Sequence, residues 1–339
     1  MNSCKIAVVG ATGAVGQVFL DIADQLHFPI DEIRLCASER SVGKKIEFRS
    51  QEIEVELCTP AVLDEVDFAF ISASGDVSRE VAPLAANRGT VAIDDSSAFR
   101  MDANVPLVVP EVNPEQLSMH KKKNIIANAN CSTIQMVLVL KPLHDLFNIK
   151  RVVVSTYQSV SGGGKAPMDE LISQSKDYLS GKKIESKNFT KQIAFNLIPH
   201  IDEFVDEGYT KEEWKMENET KKILDPKIKM TATCVRVPVM VSHSESINVE
   251  FEKNFDIKKV KEILSSAAGC KVVDERNNGG YTTPVEAENS YLTFISRIRK
   301  DYSNDKALNM WVVSDNLLKG AALNTVQIAE RLIKDYHGK

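Results

Sequence analysis

Cys131 is the side chain in this sequence with the most chemistry to offer. It stands in Asn128-Ala129-Asn130-Cys131-Ser132-Thr133, a single thiol among small polar residues. An apolar run follows, Ile134-Gln135-Met136-Val137-Leu138-Val139-Leu140, which Lys141-Pro142 interrupts, and the run reads as a buried helix. Serine and threonine are residue types that start helices, so the thiol is expected at or just before a helix N-terminus. Unpaired N–H groups and the helix dipole favour negative charge there. A free thiol ionises near pH ~8.5, and such a setting favours the thiolate by one to several units. Alone, a cysteine of this kind is more often an inert packing residue. Its meaning depends on what the rest of the chain brings to it.

The elements before it read as a nucleotide-binding unit. The β-branched run Lys5 to Val9 ends in Gly10-Ala11-Thr12-Gly13-Ala14-Val15-Gly16, and Gln17 to Leu26 has helical periodicity. Strand, glycine turn and helix let the backbone approach a pyrophosphate held at a helix N-terminus. Gly10, Thr12, Gly13, Ala14 and Val15 are therefore candidate cofactor contacts, although the spacing is GxxGxxG rather than GxGxxG. A second strand, Ile33 to Ala37, ends in Ser38-Glu39-Arg40-Ser41-Val42-Gly43-Lys44. Sites that prefer NAD usually carry an acid at this point for the ribose hydroxyls. Ser38, Arg40 and Ser41 instead suit a 2′-phosphate, which points to NADP, with Glu39 as the dissenting residue. Further strands near 66–71 and 90–93, a helix over Val77 to Arg88, and a strand at Ile125-Ile126-Ala127 continue the rhythm. The expected fold class is α/β: a Rossmann-like doubly wound parallel sheet, with ligands at the carboxyl ends of the strands. Arg100 falls just past one such end.

Beyond Lys150 the strands are longer and less regularly spaced, which suggests a second, α+β domain. The expected division is 1–130, completed by a C-terminal helix over about 318–339, and 131–317. Leu318, Ala322, Val326, Ala329, Leu332 and Ile333 share one side of that helix. Gly181 to Gln192 is expected to be a flexible insertion.

With 339 residues, 43% apolar and 26% charged, the composition is that of a soluble two-domain protein. A net charge of −5 with no large basic block gives nucleic acid no footprint. No apolar stretch approaches the ~20 residues that span a bilayer, and the N-terminus does not read as a signal peptide. The six cysteines are widely spaced with no CxxC pair, so neither a disulfide framework nor a metal site is expected, and a cytoplasmic location fits.

In ten blocks the chain resembles the aspartate-semialdehyde dehydrogenase family. The blocks are VVGATGAVG, ASERSVGK, LVVPEVN, NANCSTIQM, VSTYQSVSG, AFNLIPHID, EEWKMENETKKI, TATCVRVPV with HSES, FISRIRKD and WVVSDNLLKGAALNTVQIAE. The resemblance implies NADPH-dependent reductive dephosphorylation of L-4-aspartyl phosphate to L-aspartate 4-semialdehyde, a step toward lysine, threonine and methionine. Cys131 would be the nucleophile, since thiolate both attacks and leaves well at neutral pH. His243 would be the acid/base, its free pKa near ~6.5 suited to proton transfer at pH 7, and Gln158 would orient the substrate carbonyl. Arg236 would take the α-carboxylate in a two-pronged bond, and Glu212 the ammonium. Glu213 is the rival for that role, but Glu212 shares a helical face with Lys215. Arg100 and Lys215 would bind phosphate, with Asn130 close to the thiol. Ser161, Gly162 and Asn316 would border the nicotinamide. The resemblance also implies a homodimer built on the second domain, with the C-terminal helix packing back onto the first. The Gly162-Gly163-Gly164 run departs from relatives in which a bulkier small residue interrupts the glycines. N-acetyl-glutamyl-phosphate reductase is the nearest alternative, but its cysteine usually lies in a glycine–cysteine–aromatic–proline context, and an acetylated amine has no use for Glu212. Glyceraldehyde-phosphate dehydrogenase lacks the blocks. An NADP-binding regulatory protein without catalysis is disfavoured by an intact Cys131, His243 and Arg236.

Overall fold

The computed structural model describes residues 3–336, which divide into two compact units: 3–130 with 321–336, and 131–320. The last residues of the expected C-terminal helix, 337–339, lie outside the described part.

The first unit is built on an eight-stranded sheet. Its elements are β1 (Cys4–Val9), α1 (Ala14–Gln25), β2 (Ile30–Ala37), β3 (Lys45–Phe48), β4 (Gln51–Leu57), β5 (Phe68–Ile71), α2 (Gly75–Ala86), β6 (Val91–Asp94), β7 (Leu107–Val108) and β8 (Ile125–Asn128). The strand order is β3-β4-β2-β1-β5-β6-β8-β7, parallel throughout except for the β3–β4 hairpin. Parallel strands are covered on both faces. That is why Phe68-Ala69-Phe70-Ile71 reads as an unbroken apolar run and is wholly buried. Phe70 packs between Phe19 of α1 and Phe28, with ring centroids 4.3 and 6.3 Å away. The hairpin carries no such signal. Lys45-Ile46-Glu47-Phe48 pairs with Gln51 to Glu54 at the sheet edge, mostly exposed and charged, as edges must be to resist further pairing.

The chain returns to this unit through α8 (Leu323–Tyr336). Ala322, Val326, Ile328, Ala329, Leu332 and Ile333 are buried. The amphipathic stretch expected from Leu318 is not one uniform helix. Leu318–Ala322 is a π-helical turn, in which the Gly320 N–H donates to the Asp315 carbonyl five residues back. The wider turn shifts the phase, so Leu318 is only half-buried.

The second unit contains α3 (Cys131–Phe147), β9 (Ile149–Gln158), α4 (Lys165–Leu179), α5 (Lys211–Ile223), β10 (Lys229–Arg236), β11 (His243–Phe251), α6 (Ile257–Ser266), β12 (Cys270–Val272), α7 (Pro284–Ala287), β13 (Thr293–Lys300) and β14 (Ala307–Ser314). The six-stranded sheet runs β10-β9-β11-β14-β13-β12, with β9–β11, β11–β14 and β13–β14 antiparallel. One face is apolar: Val152, Val154, Ile247, Val249, Met310 and Val312 pack with Met136, Val139, Leu143, Val260 and Leu264 from α3 and α6. The other face carries Tyr157, Ser246, Arg297, Arg299 and Trp311, the Tyr157 and Trp311 rings 5.4 Å apart.

Pro142 ends the apolar run but does not end α3, which runs on to Phe147. Proline removes one N–H and so frees the Leu138 carbonyl four residues back; the Cys270 thiol sits 4.0 Å from that oxygen. The helix ends at Asn148, whose φ of 56° is the left-handed conformation that stops helices. Nor is 181–192 a loose insertion. Glu170 of α4 accepts the backbone N–H groups of Lys187 and Asn188, at 3.0 and 2.6 Å, and the Asn188 amide at 2.7 Å. Gln174 accepts from Ile193 and Ala194 and donates to the Glu185 carbonyl.

Candidate active site

Cys131 is the first residue of α3, and that helix has no acid in its first turn to neutralise its positive end. Gly320 packs against it: a Cβ on Gly320 would lie 3.0 Å from the Cys131 Cβ. Asn316, on the same approach to the π turn, is a hub. Its Oδ1 accepts the Ser242 N–H at 2.9 Å and the Ser159 and Ser161 hydroxyls at 3.0 and 3.1 Å. Ser242 has a φ of 77°, a strained conformation for a non-glycine residue, and the Asn316 bond holds it there. His243 follows at once and is fully buried. Its Nδ1 lies 3.1 Å from the Ser159 backbone N and 3.0 Å from the Ser159 hydroxyl. Its Nε2 has no hydrogen-bond partner among the described residues.

Arg236, the last residue of β10, donates from Nη1 to the Ser159 carbonyl at 2.7 Å. Gly162 shows where this guanidinium and the imidazole converge, since a Cβ there would meet Arg236 Nη1 at 2.9 Å and His243 Nε2 at 3.1 Å. Only a residue without a side chain keeps that space free for a ligand. Burial pulls the Arg236 pKa down, while Glu212 and the Cys131 thiolate pull it up. By the same Coulombic attraction, Arg236 favours the thiolate. A cavity of about 460 Å³ adjoins this arginine, lined among others by Gly163, Asn188, His200 and Asp202.

Behind Arg236 lies a buried polar chain. Gln158, the last residue of β9, donates its amide to Glu212 Oε1 at 3.0 Å and accepts the Thr156 hydroxyl at 3.1 Å. Glu212 pairs through its other oxygen with Lys215 at 3.1 Å, and Lys215 reaches Asp202 at 2.7 Å. Burial alone would lower the Lys215 pKa, but Glu212 and Asp202 together raise it, so the ammonium stays charged. Glu213 is otherwise engaged. It closes a capping box with Thr210 at the start of α5 and accepts the Cys234 N–H at 3.0 Å.

The histidine departs from expectation. Its pKa is pushed down from 6.5 to about 3, first by burial and then by the Arg236 cation, with Glu212 and the Ser242 backbone opposing. A ring with that environment is neutral at pH 7 rather than poised to titrate there.

The first unit holds the remaining expected residues. Gly10, with φ of 86°, could not bear a side chain, because a Cβ would sit 2.3 Å from the Ser72 carbonyl oxygen. Gly16 is closed off in the same way by the Gly10 carbonyl at 2.4 Å. Gly13 is exposed and caps α1 without any side-chain bond, so the N–H groups of Ala14 and Val15 are left at an open helix N-terminus. That is a cradle suited to a pyrophosphate. Thr12 donates to the Ser41 hydroxyl at 3.1 Å, tying the glycine turn to the loop after β2. Ser38 and Arg40 are exposed on that loop, and Lys44 adds a second cation, 3.4 Å from the Ser41 hydroxyl. Arg100 is buried, donating from Nε to the Asn128 carbonyl at 2.8 Å and from Nη2 to the Asp95 carbonyl at 2.7 Å. Asn130 is buried immediately before the cysteine in sequence.

Sequence reasoning did not single out Ser159, Ser242, Gly320, Lys44 or His200. Of these only Lys44 carried a usable signal, a cation in the loop already assigned to the 2′-phosphate. The buried pair Glu245 and Gln135 was also missed. Among the described residues neither side chain has a hydrogen-bond partner of good geometry, and burial holds the Glu245 carboxyl well above its usual pKa.

Residues 5–120 match the family model described as semialdehyde dehydrogenase, NAD binding domain, and residues 140–319 match semialdehyde dehydrogenase, dimerisation domain. The class is that of the nucleotide-dependent semialdehyde dehydrogenases. The aspartate-semialdehyde dehydrogenase of Aquifex aeolicus is 52% identical over 334 residues, covering 98% of each chain. Among solved structures, aspartate semialdehyde dehydrogenase II of Vibrio cholerae complexed with ASA superposes with a TM-score of 0.97 at 46% identity, over 99% of this chain and 100% of that one. The Candida albicans enzyme with NADP gives 0.77 at 28% identity, with 98% of each chain covered. This chain belongs to the aspartate-semialdehyde dehydrogenase family.

Proposed function

We infer that the protein catalyses the reversible, NADPH-dependent reductive dephosphorylation of L-4-aspartyl phosphate to L-aspartate 4-semialdehyde through a thioester on Cys131. The observation that carries this reading is the convergence at Gly162 of Arg236 Nη1 and an unpartnered His243 Nε2, with the thiolate-favouring α3 N-terminus in the same unit. Cys131 adds to the acyl carbonyl and phosphate departs. Arg236 holds the α-carboxylate, Glu212 the ammonium, and Gln158 the reacting carbonyl; Lys215 and Arg100 meet the phosphate, with Asn130 beside the sulfur. The bound NADPH supplies the hydride that reduces the thioester. The open glycine cradle and the Ser38, Arg40, Ser41 and Lys44 loop fit its pyrophosphate and 2′-phosphate, while Ser161, Gly162 and Asn316 border the nicotinamide. The protein works as a homodimer in the cytoplasm, the face of the second sheet that bears Tyr157 and Trp311 being the surface between copies. No helix among the described residues is long and apolar enough to cross a membrane.

The direct test follows NADPH formation from aspartate semialdehyde with and without inorganic phosphate. Turnover that needs phosphate, or arsenate in its place, supports acyl transfer to phosphate. Equal rates in its absence, or a preference for N-acetyl-glutamate semialdehyde, refute the reading.

A further inference from the structure

The layer between α3 and the second sheet is apolar where Met136, Val139 and Leu140 meet Val154, Ile247, Val249 and Met310. Toward Cys131 and His243, two polar side chains enter it from facing elements: Gln135 of α3 and Glu245 of β11, both fully buried. The Gln135 amide lies close enough to act on the Glu245 carboxyl. Yet among the described residues both oxygens of Glu245 and both amide atoms of Gln135 lack a hydrogen-bond partner of good geometry. Beside Glu245 in the sheet stand Val312 of β14 and Thr156 of β9, whose hydroxyl donates to Gln158. The titratable group that feels this carboxyl is the buried Cys234 thiol of β10. Hydrogen-bonding capacity decides how the pair is protonated. An ionised carboxylate offers acceptors alone and would leave the Gln135 carbonyl oxygen without a donor. A carboxylic acid donates its O–H to that oxygen and accepts the amide N–H in return, so two reciprocal bonds satisfy both groups. The last torsions of both side chains are soft, and a small rotation closes the bonds.

Such a pair contributes little stability, since apolar side chains of similar size would fill the layer as well. What it supplies is register. Gln135 stands four residues from Cys131 on one helix face, and Glu245 two residues from His243 on one strand face. We propose that Glu245 and Gln135 are positioning residues, joined as a neutral carboxylic acid–carboxamide pair that fixes the rotation and height of α3 on β11 and so holds the Cys131 thiol in register with the His243 imidazole. This rests on the acyl-phosphate reading above, in which both groups act on one substrate. The pair gives up no proton during turnover, and the chemistry stays with Cys131 and His243. A greasy helix face alone would let α3 slide or turn on the sheet; two bonds of opposite direction allow one placement.

Infrared difference spectroscopy of the full-length protein reads the pair directly. At about pH 7.5, far above the ordinary glutamate pKa, the carbonyl band of a hydrogen-bonded carboxylic acid is expected, assigned by its loss in Glu245→Gln. A carboxylate band in its place overturns the proposal. Gln135→Leu should move the acid band to the higher frequency of a free carboxyl; an unmoved band overturns the pairing. Glu245→Leu should lower kcat of phosphate-dependent NADP reduction at least ~10-fold, as expected when reacting groups are misplaced, with NADP affinity unchanged. Glu245→Gln can form the same two bonds as an amide–amide pair and should restore most of that loss. The double variant Gln135→Leu with Glu245→Leu separates positioning from packing. Its Tm should match or exceed wild type, because no buried polar group is left unsatisfied, while kcat stays about 10-fold down. A double variant with wild-type kcat, or a Glu245→Gln variant as slow as Glu245→Leu, overturns the proposal. A wild-type protein that shows the acid band but no phosphate-dependent aldehyde oxidation would refute the functional reading alone, because the band is read without turnover.

Discussion

Replacing Gly162 by alanine tests whether the active-site atoms are as immovable as their bonds imply. The new methyl would lie 2.9 Å from Arg236 Nη1 and 3.1 Å from His243 Nε2, roughly 0.5 Å inside the ~3.5 Å at which such atoms pack comfortably. Neither neighbour has an easy retreat. Nη1 is tied to the Ser159 carbonyl at 2.7 Å, and the imidazole to the Ser159 amide at 3.1 Å. Gly162 itself is exposed and its φ is not in the left-handed region, so the fold should tolerate alanine. A displacement of about 1 Å in groups that position a reaction costs on the order of 10²-fold in rate, or about 2.7 kcal/mol of transition-state stabilisation. Phosphate-dependent NADP reduction by aspartate semialdehyde should show that loss in kcat/KM, with Tm within a degree or so of wild type. A variant within threefold of wild type at unchanged Tm would mean the two side chains are free to move, and the argument from close approach would fail.

Cys131→Ala should abolish turnover while leaving NADPH affinity, followed by fluorescence, within about twofold; residual turnover at wild-type rates would remove the thioester mechanism. Glu212→Gln should raise KM for the amino-acid substrate by about 10-fold or more, the size expected for losing a hydrogen bond to a charged group, and an unchanged KM would dissociate Glu212 from the ammonium. Glu245→Gln should stabilise the protein increasingly as pH rises. The folded pKa of Glu245 is raised by burial, so its folded state holds a proton that the unfolded state gives up above about pH 4.5, and wild-type stability falls with pH through that window. The Tm difference between variant and wild type should widen between pH 5 and 8; a constant difference would show that the carboxyl has found a partner for its charge.

What the sequence disclosed, and what it withheld, follows from the range of the forces involved. The helix that begins at Cys131, the glycine turn after β1 and the buried strand at Phe68–Ile71 are set by residues a few positions apart, and local patterning revealed them. The β3–β4 hairpin is just as local but lies at an edge, where its charges mask the alternation. That α3 continues past Pro142 was not legible, because the carbonyl the proline frees meets a thiol 132 residues away. Of the candidate site, residue types and order could be read, and the resemblance attached roles to them. The protonation state of His243 could not. It depends first on complete burial and then on the Arg236 cation, which lies only seven residues away in sequence but on another strand, so that the fold alone brings it to the ring.

The hold of Glu170 on the segment after α4 has its own consequence. A single carboxylate gathers three N–H donors from Lys187 and Asn188, so the path between Leu179 and those two residues is closed by one acid, with Gln174 adding a tie at the Glu185 carbonyl. Evolution can lengthen, shorten or recompose that stretch while the latch survives. Neutralising the latch would leave the span with its weaker tie to Gln174, and a protease should find it first.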